Sequence, residues 1–383
     1  MKKRYLMAPG PTPVSPDTLL AMATPIIHHR SPQFAEVVAE IREGLKYLFQ
    51  TKNEVLTIAS TGTGAMEGSI TNTLSPGDTA IAIRGGKFGE RWGEICEAFG
   101  VKVEAIDVEW GHSVKPEEVA ARLKANPKIK AVCVQAHETS TGVNHPVKEL
   151  AQITKNLPGT ILIVDAISAL GAYPLPMDEW GMDVVVAGSQ KAMMLPPGLA
   201  FAALSDKAWG FVKESKCPKF YFDFSKELKN VQKNTGAYTS AVSLMMGLKQ
   251  VLAYIKQETL ESIFAQHRLM SQATKAAVKA LGLQLFPKEN ATEALTAIEA
   301  PAGVNGQDVV KLLREKYGIM IAGGQAQAKG KIFRIAHMGY IGDFDVVMVI
   351  AALEVVLNEL GYKAEYGAGV RAAQKVLFAE ASK

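Results

Sequence analysis

Cysteine is scarce in this chain of 383 residues. Its three cysteines, Cys96, Cys133 and Cys217, form no Cys-x-x-Cys pair, and no histidine stands near them at the spacing of zinc ligands. Disulfide frameworks and zinc clusters need denser or regularly spaced ligands. We therefore expect three idle or buried thiols, no metal site and a reducing compartment, with the cytoplasm as the default location.

Long hydrophobic runs and runs of basic residues are also absent. The first residues, "MKKRYLMAPGPTPV", reach several prolines before any apolar stretch forms, which is not typical of a signal peptide. No uninterrupted apolar stretch is long enough to span a bilayer. Lys and Arg total 42 against 38 Asp and Glu, and this small, dispersed excess of positive charge does not favour binding to nucleic acid or to a membrane surface.

Apolar residues, by contrast, make up 48% of the chain, enough for a substantial core and for two domains or one large domain with an appendage. Between residues 54 and 205, short β-branched runs alternate with helical patterns such as 116–126 and 147–156. This alternation predicts an α/β fold with a mostly parallel sheet covered on both faces. The predicted strands are "EVLTIAS", "TAIAI", "KVEAIDV", "KAVCVQA", "TILIVDA", "DVVVAG" and "LAFAAL".

The last third of the chain has a different pattern. A long helical stretch is predicted from about residue 240 to 281, followed by the strand candidates "LQLFP", "ALTAIEA", "GIMIAG" and "KIFRIAH". Helices are predicted at 307–317 and 343–360, each stopped by a glycine. We therefore predict an N-terminal arm (1–20), a large domain (21–258) and a smaller C-terminal α/β domain (259–383).

A Thr/Gly-rich loop follows the first predicted strand, in "VLTIASTGTGAMEGSI". Backbone N–H groups at the start of the helix after it can bind an anion, and Thr61 and Thr63 add hydroxyl groups. The glycines also resemble a dinucleotide fingerprint, although this pattern is weak alone. A tight turn without a ligand is the alternative for this loop.

Two charged residues, Asp165 and Lys191, follow neighbouring apolar strands in "ILIVDAISALG" and "VVVAGSQKAMMLPPG". The carboxyl ends of adjacent parallel strands lie side by side, so both residues should face one pocket. A helix cap or a structural salt bridge would also explain Asp165. An anion loop, a strand-end acid and a lysine in apolar surroundings together indicate pyridoxal 5′-phosphate, held by Lys191 as a Schiff base.

With these residues in place, the sequence resembles the class V aminotransferases, in particular the alanine–glyoxylate and serine–pyruvate branch. The matching segments are "APGPTPV", "STGTGAMEGS", "HETSTGV", "VDAISALG", "GSQKAMMLPPG" and "KIFRIAHMG", spread over residues 8–339. The resemblance implies fold type I, with a mostly parallel sheet in a large domain and a smaller C-terminal domain. It also implies a homodimer whose active sites lie at the subunit interface.

The resemblance further implies a role for each site residue. Lys191 would bind the cofactor aldehyde, Asp165 would pair with the pyridine nitrogen, and Arg334 would bind the substrate α-carboxylate. Gly10 would line the substrate pocket, and His137 would orient its loop. Phosphate ligands would be Thr61, Gly62, Thr63 and Gln190, with Thr239 from the neighbouring subunit; Phe88 and Ile167 would flank the ring, and Thr139 would approach its hydroxyl. His28 and His29 are expected at the dimer interface.

The expected activity is a ping-pong transamination from alanine or serine to glyoxylate or pyruvate. Three other functions remain open from the residues. A cysteine desulfurase would need a cysteine on a mobile loop, for which Cys217 is the candidate. Some similar chains are labelled as the small subunit of a soluble hydrogenase, so a subunit of a larger complex is the non-enzymatic alternative. A nicotinamide dehydrogenase would leave Lys191 unexplained.

Overall fold

Strands and helices alternate through the first half of the chain, as the sequence predicts. The structure, a computed structural model, describes residues 3–379. Its strands are β1 (Tyr5–Leu6), β2 (Val55–Ser60), β3 (Thr79–Arg84), β4 (Lys102–Asp107), β5 (Ile129–Gln135), β6 (His137–Glu138), β7 (Val143–Asn144), β8 (Ile161–Asp165), β9 (Val184–Gly188), β10 (Gly198–Leu204), β11 (Leu295–Glu299), β12 (Ile319–Met320), β13 (Ala322–Gly323) and β14 (Ile332–Ala336).

The helices cover both faces of the main sheet and build most of the C-terminal region. They are α1 (Pro16–Met22), α2 (Pro32–Phe49), α3 (Gly62–Thr73), α4 (Lys87–Ala98), α5 (Pro116–Ala125), α6 (Val147–Lys155), α7 (Met177–Trp180), α8 (Asp206–Glu214), α9 (Phe224–Val231), α10 (Val242–Glu258), α11 (Leu260–Ala280), α12 (Gly306–Tyr317), α13 (Asp343–Glu359) and α14 (Ala368–Leu377).

The central sheet has seven strands in the order β2-β10-β9-β8-β5-β3-β4. Strand β10 runs antiparallel to both of its neighbours, and the other pairs are parallel. All seven strands were predicted, and the mostly parallel α/β sheet is confirmed. Strands β8 and β9 are buried along their whole length, which explains why their sequences are continuously apolar rather than alternating.

A second sheet, of order β11-β14-β13, lies in the C-terminal region. It shares a hydrophobic core with α11, α12, α13 and α14, separate from the two cores that sandwich the main sheet. Strand β1 pairs in parallel with β12, and Met7 joins the C-terminal core, so the N-terminal segment is attached to this region. The domain boundaries at residues 20 and 258 stay predictions.

Three predicted elements differ from the structure. The helical stretch predicted at 240–281 is two helices, α10 and α11. Thr259 between them has a left-handed φ of 65°, and its Oγ1 atom caps α11 by accepting a hydrogen bond from the Ser262 backbone N–H. "LQLFP" is not a strand, since only Leu285 forms an isolated bridge, to Ile298. "GIMIAG" divides between β12 and β13, which belong to different sheets.

Among residues 3–379, no helix has the length and apolar character needed to cross a membrane.

Candidate active site

Most of the predicted site residues meet at the carboxyl end of the central sheet. Strands β8 and β9 are parallel neighbours, with Asp165 opposite Val186, and the loop after β9 brings Lys191 to the same edge. Behind them lies a cavity of about 100 Å³. Its lining consists of Thr61, Gly62, Thr63, Phe88, Arg91, His137, Thr139, Asp165, Ile167, Ser168, Gln190 and Lys191.

The Lys191 side chain is partly buried and lines the cavity. Its Nζ atom donates a hydrogen bond to the Pro9 carbonyl oxygen at 2.7 Å, and its own carbonyl oxygen accepts one from Thr12 Oγ1 at 2.7 Å. Burial lowers the pKa of Lys191 from 10.5 to about 8, against the opposing effect of the Asp165 charge. A sizeable fraction of this lysine is therefore a neutral amine near pH 8.

Gly10 lies directly against this lysine. A Cβ atom at residue 10 would stand 2.2 Å from Lys191 Nζ, and the φ angle of 153° also disfavours any other residue. The N-terminal segment thus passes over Lys191 as a glycine because no side chain would fit. The prediction that Gly10 lines the substrate pocket stays a prediction.

Asp165 ends β8 with only 6% of its surface exposed. Its Oδ1 atom accepts a hydrogen bond from the Ile167 backbone N–H at 2.8 Å, and no cation lies within ion-pair distance in the described part of the chain. Burial raises the pKa of Asp165 from 3.8 to about 6, and nearby Glu138 adds to the effect. A buried carboxylate without a cationic partner is costly, so its position indicates that a positively charged group belongs opposite it.

The Thr/Gly loop forms the N-terminus of α3 at the other end of the cavity. Helix α3 begins at Gly62, and Thr61 at its N-cap position makes no capping hydrogen bond. A Cβ atom on Gly62 would stand 2.4 Å from Ile167 Cδ1, so the backbone and Ile167 pack closely. Free N–H groups of the first turn remain available to an anion.

Two buried polar atoms of the lining, Gln190 Oε1 and His137 Nε2, have no hydrogen-bond partner among the residues that the structure describes. Unpaired buried polar atoms are rare in proteins and indicate a missing ligand or water. Together with the lysine, the isolated carboxylate and the anion-binding helix end, they fit pyridoxal phosphate.

Arg334 lies on β14 behind Thr139 and is only 4% exposed. Its Nη1 atom donates to the Thr139 carbonyl oxygen at 2.6 Å, and its Nε and Nη2 atoms donate to the Gly323 carbonyl oxygen at 3.1 and 2.7 Å. Burial lowers the pKa of Arg334 to about 10. The guanidinium has no carboxylate partner among residues 3–379 and is not among the residues that line the cavity, so its predicted binding of a substrate carboxylate stays a prediction. From the sequence alone, this arginine reads as a surface or edge charge.

A chain of hydroxyl and imidazole groups joins Thr139 to His137. Ser168 Oγ shares a hydrogen bond of 2.7 Å with Thr139 Oγ1 and another of 3.0 Å with His137 Nδ1. Burial lowers the pKa of His137 to about 3, so its ring is neutral at physiological pH. His137 was predicted only to orient its loop, whereas the structure also places it in the cavity wall.

Four residues of the site, or next to it, were missed by sequence reasoning. Arg91 and Ser168 line the cavity, and Glu138 and Gly86 fix the start of α4. Ser168 and Glu138 stand inside the quoted motifs "VDAISALG" and "HETSTGV", which was the available signal. Arg91 follows "GGKF", where it resembles an ordinary charge on a surface helix.

Thr239 lies elsewhere in this chain. It is exposed and lines a groove with Arg42 and Tyr238, apart from the Lys191 cavity. Its predicted contribution to the site of a neighbouring subunit stays a prediction. The rings of His28 and His29 are 4.7 Å apart and also lie outside the cavity.

The three cysteines are free and buried, as predicted. None of them lines the Lys191 cavity, and Cys217, the candidate for desulfurase chemistry, is only 4% exposed. Within the described residues, no group of three or more His, Cys, Asp or Glu side chains could hold a metal ion.

The chain belongs to the class V aminotransferase family, whose model matches residues 14–341. The predicted family, the fold-type I architecture and the dependence on pyridoxal 5′-phosphate that members of this family share are thereby confirmed.

Several proteins show how this chain relates to other family members. It is 45% identical to the soluble hydrogenase small subunit of Synechococcus sp. (strain PCC 6716), over 98% of each chain. It is 36% identical to the L-aspartate–glyoxylate aminotransferase of Paracoccus denitrificans, covering 97% of this chain and 95% of the relative. The crystal structure of the ureidoglycine–glyoxylate aminotransferase of Bacillus subtilis superimposes with a TM-score of 0.93, at 31% identity and 98% coverage of both chains.

Proposed function

We propose that this aminotransferase moves the amino group of alanine or serine to glyoxylate or pyruvate by a ping-pong mechanism. The observation that carries the proposal is the arrangement of Lys191, Asp165 and Arg334. Lys191, with an amine of lowered pKa, and the unpaired carboxylate of Asp165 line one cavity, and the guanidinium of Arg334 binds the backbone of Thr139 in its wall. Glyoxylate is the acceptor named for both the Paracoccus and the Bacillus protein, which favours the same acceptor here.

The chain's own residues account for the binding of the cofactor. The α3 N-terminus, with Thr61, Gly62 and Thr63, would bind the phosphate together with Gln190. Phe88 and Ile167 would pack on the ring, Thr139 would bind its hydroxyl group, and Asp165 would pair with the pyridine nitrogen. When bound, pyridoxal phosphate supplies an electron sink that makes the α-proton of an attached amino acid acidic.

Lys191 provides the proton transfer. An amine with a pKa of about 8 is a competent base near neutral pH because it is partly unprotonated and yet basic enough to accept the α-proton. The hydrogen bond to the Pro9 carbonyl oxygen holds the amine at the cavity wall. Lys191 would hold this proton within the cavity and release it there.

Arg334 orients the substrate. Its contacts with Gly323 and Thr139 fix the guanidinium plane, so the fork is preorganised for the α-carboxylate of an amino or oxo acid. Because Thr139 also stands in the hydrogen-bonded chain to Ser168 and His137, the substrate end and the cofactor end of the site share one rigid wall.

We also propose a cytoplasmic homodimer in which Thr239 completes the phosphate site of the partner subunit. Exposed Leu19, Leu20 and Ile26 in the N-terminal region support an interface there. Analytical ultracentrifugation should give a mass near twice 41.2 kDa. A monomer that retains full activity would contradict the shared site.

Visible absorbance of the purified protein tests the function directly. Adding L-serine or L-alanine should convert the Schiff-base band to the pyridoxamine form, and glyoxylate should reverse the change. The variant Arg334→Lys should keep the band but require much more amino acid, because a point charge replaces a bidentate fork. A band that responds to aspartate but to neither serine nor alanine would contradict the proposed donors.

A second candidate is a subunit of a larger complex, which the 45% identity to a hydrogenase small subunit favours. The three buried cysteines of this chain provide no cluster ligands of their own, so such a subunit would not carry electrons. Copurification with a cysteine-rich partner, together with a protein that takes up no cofactor, would favour this function over transamination.

A further inference from the structure

Arg91 is a charged side chain of the cavity wall to which the proposed mechanism gives no role. It stands on the first turns of α4 and lines the cavity. Its Nη1 atom donates to Thr63 Oγ1 at 3.2 Å, and its guanidinium carbon lies 5.2 Å from the centre of the Phe88 ring. The guanidinium therefore connects the Thr/Gly loop of α3 with the side chain proposed to stack on the cofactor ring.

Arg91 has no counter-ion, in contrast to Arg84 at the end of β3. Arg84 donates to both oxygens of Asp107, at 2.7 and 2.9 Å. In the described part of the chain, no carboxylate lies within ion-pair distance of Arg91, whose one hydrogen bond goes to a neutral hydroxyl group. Most of its five N–H donors are thus available to a ligand.

The position of Arg91 is fixed through a buried carboxylate at the start of its helix. Glu138 accepts hydrogen bonds from the backbone N–H groups of Phe88 (3.3 Å), Gly89 (2.9 Å) and Ser140 (3.1 Å). A Cβ atom on Gly86 would stand 2.4 Å from Glu138 Cδ, so the contact requires glycine there. An anion at a helix N-terminus is favourable, and this one anchors the turn that aims Arg91 into the cavity.

We propose that Arg91 binds the phosphate group of the cofactor, together with Thr63, Gln190 and the N-terminus of α3. The contact with Thr63 carries the assignment, because it places the guanidinium at the phosphate end of the cavity rather than beside Arg334. A guanidinium fork binds phosphate oxygens in pairs, with both charge and geometry matched.

This assignment also defines the class of amino donor, and it rests on the proposed function. With Arg91 engaged by the phosphate, Arg334 is the one guanidinium left for a substrate carboxylate in the described site. The donor is therefore a monocarboxylic amino acid such as alanine or serine. A dicarboxylic donor such as aspartate would leave its second carboxylate unpaired.

The test is the affinity of the cofactor-free protein for pyridoxal phosphate, for pyridoxal and for inorganic phosphate, measured by isothermal titration calorimetry. Arg91→Gln should lower the affinity for pyridoxal phosphate and for inorganic phosphate by about tenfold to a hundredfold, which is the contribution of a charge-assisted hydrogen bond. The same substitution should change the affinity for pyridoxal by less than about twofold, because pyridoxal lacks the phosphate group. The affinity of Arg91→Lys for both phosphate ligands should lie between those of the wild type and Arg91→Gln, since lysine keeps the charge but lacks the planar guanidinium.

The matched control is Arg84→Gln, which removes the same charge at the end of β3 and should leave all three affinities unchanged. An equal loss for pyridoxal and pyridoxal phosphate would overturn the proposal, and so would an unchanged affinity for pyridoxal phosphate. A selective rise in KM for aspartate in Arg91→Gln, with cofactor affinity intact, would assign Arg91 to a substrate carboxylate instead. These titrations need no amino donor, so they stay decisive even if the wild type transaminates neither alanine nor serine.

Discussion

Two groups of charged side chains in this protein contain similar residues in opposite circumstances. Near the surface, Glu54 accepts from Arg42 Nε and Nη2 at 3.0 and 2.6 Å, and from Lys46 Nζ at 3.0 Å. At the candidate site, Asp165 and Arg334 are only 6% and 4% exposed, and neither they nor Lys191 form an ion pair with another described residue. The charges of the first group have counter-ions within the chain, whereas those of the second group have none among the described residues.

The pKa shifts express this difference. The hydrogen bond from Arg42 lowers the pKa of Glu54, and the same bond raises the pKa of Arg42. Burial instead raises the pKa of Asp165 and lowers that of Arg334 and Lys191. The surface group therefore stabilises the fold, whereas the buried group opposes folding and becomes favourable only when a ligand supplies the missing charges.

The largest expected effect is the loss of turnover in Lys191→Ala. Removing the amine deletes both the covalent attachment of the cofactor and the proton transfer, and the second loss alone is worth roughly 10²–10⁴-fold in rate. A coupled assay of serine–glyoxylate transamination measures it. Lys249→Ala is the matched control, because Lys249 is an exposed lysine paired with Glu40. Full turnover in Lys191→Ala would refute the assignment.

Asp165→Asn should lower turnover by about 10²–10³-fold, as expected when a buried electrostatic partner of the reacting group is removed. The cofactor-free variant should nevertheless be more stable than the wild type above about pH 6. The pKa of Asp165 is about 6 in the folded chain against 3.8 for an ordinary aspartate. The unfolded chain therefore loses its proton first, and wild-type stability falls as pH rises from about 4 to 6.

The difference in unfolding free energy between Asp165→Asn and the wild type should reach up to about 3 kcal/mol above pH 6 and vanish near pH 4. Urea titrations of both cofactor-free proteins at pH 4, 6 and 8 measure it. A variant that is less stable than the wild type at pH 8 would show that Asp165 already has a favourable partner within the chain.

Glu54→Gln should have the smallest effect, and one on stability alone. Removing the carboxylate leaves Arg42 and Lys46 without their counter-ion and should lower the free energy of unfolding by about 1–2 kcal/mol at pH 7. Because the pKa of Glu54 is lowered in the folded state, its contribution is present above about pH 4.5 and is lost as pH falls further. Urea unfolding should show this, with kcat unchanged. If activity fell by more than the fraction of folded protein, Glu54 would act on the reaction as well as on stability, and the two groups would no longer differ in this respect.

Much of the fold and the centre of the site could be predicted because they depend on local patterns. Apolar strands that end in Asp165 or lead to "GSQK" specify both the sheet and the edge where the two charges meet. Thr259 could not be recognised as a helix break, since a β-branched residue rarely adopts a positive φ angle and gives no local signal for one.

Arg91 and Glu138 were missed for a different reason. Their roles depend on contacts between segments far apart in the sequence, Arg91 with Thr63 and Glu138 with Phe88 and Gly89. A charge on a predicted helix gives no sign that the helix points it inward. Arg334 was identified only through the family resemblance, because a strand arginine does not reveal its burial.

The most direct test of the account is borohydride reduction of the protein with its cofactor, followed by peptide mass spectrometry. If the cofactor is bound at Lys191, a stable phosphopyridoxyl group is expected on Lys191 and on no other lysine. An adduct on a different lysine, or none after saturation with pyridoxal phosphate, would contradict the claim that the unpaired charges at the sheet edge form a cofactor site.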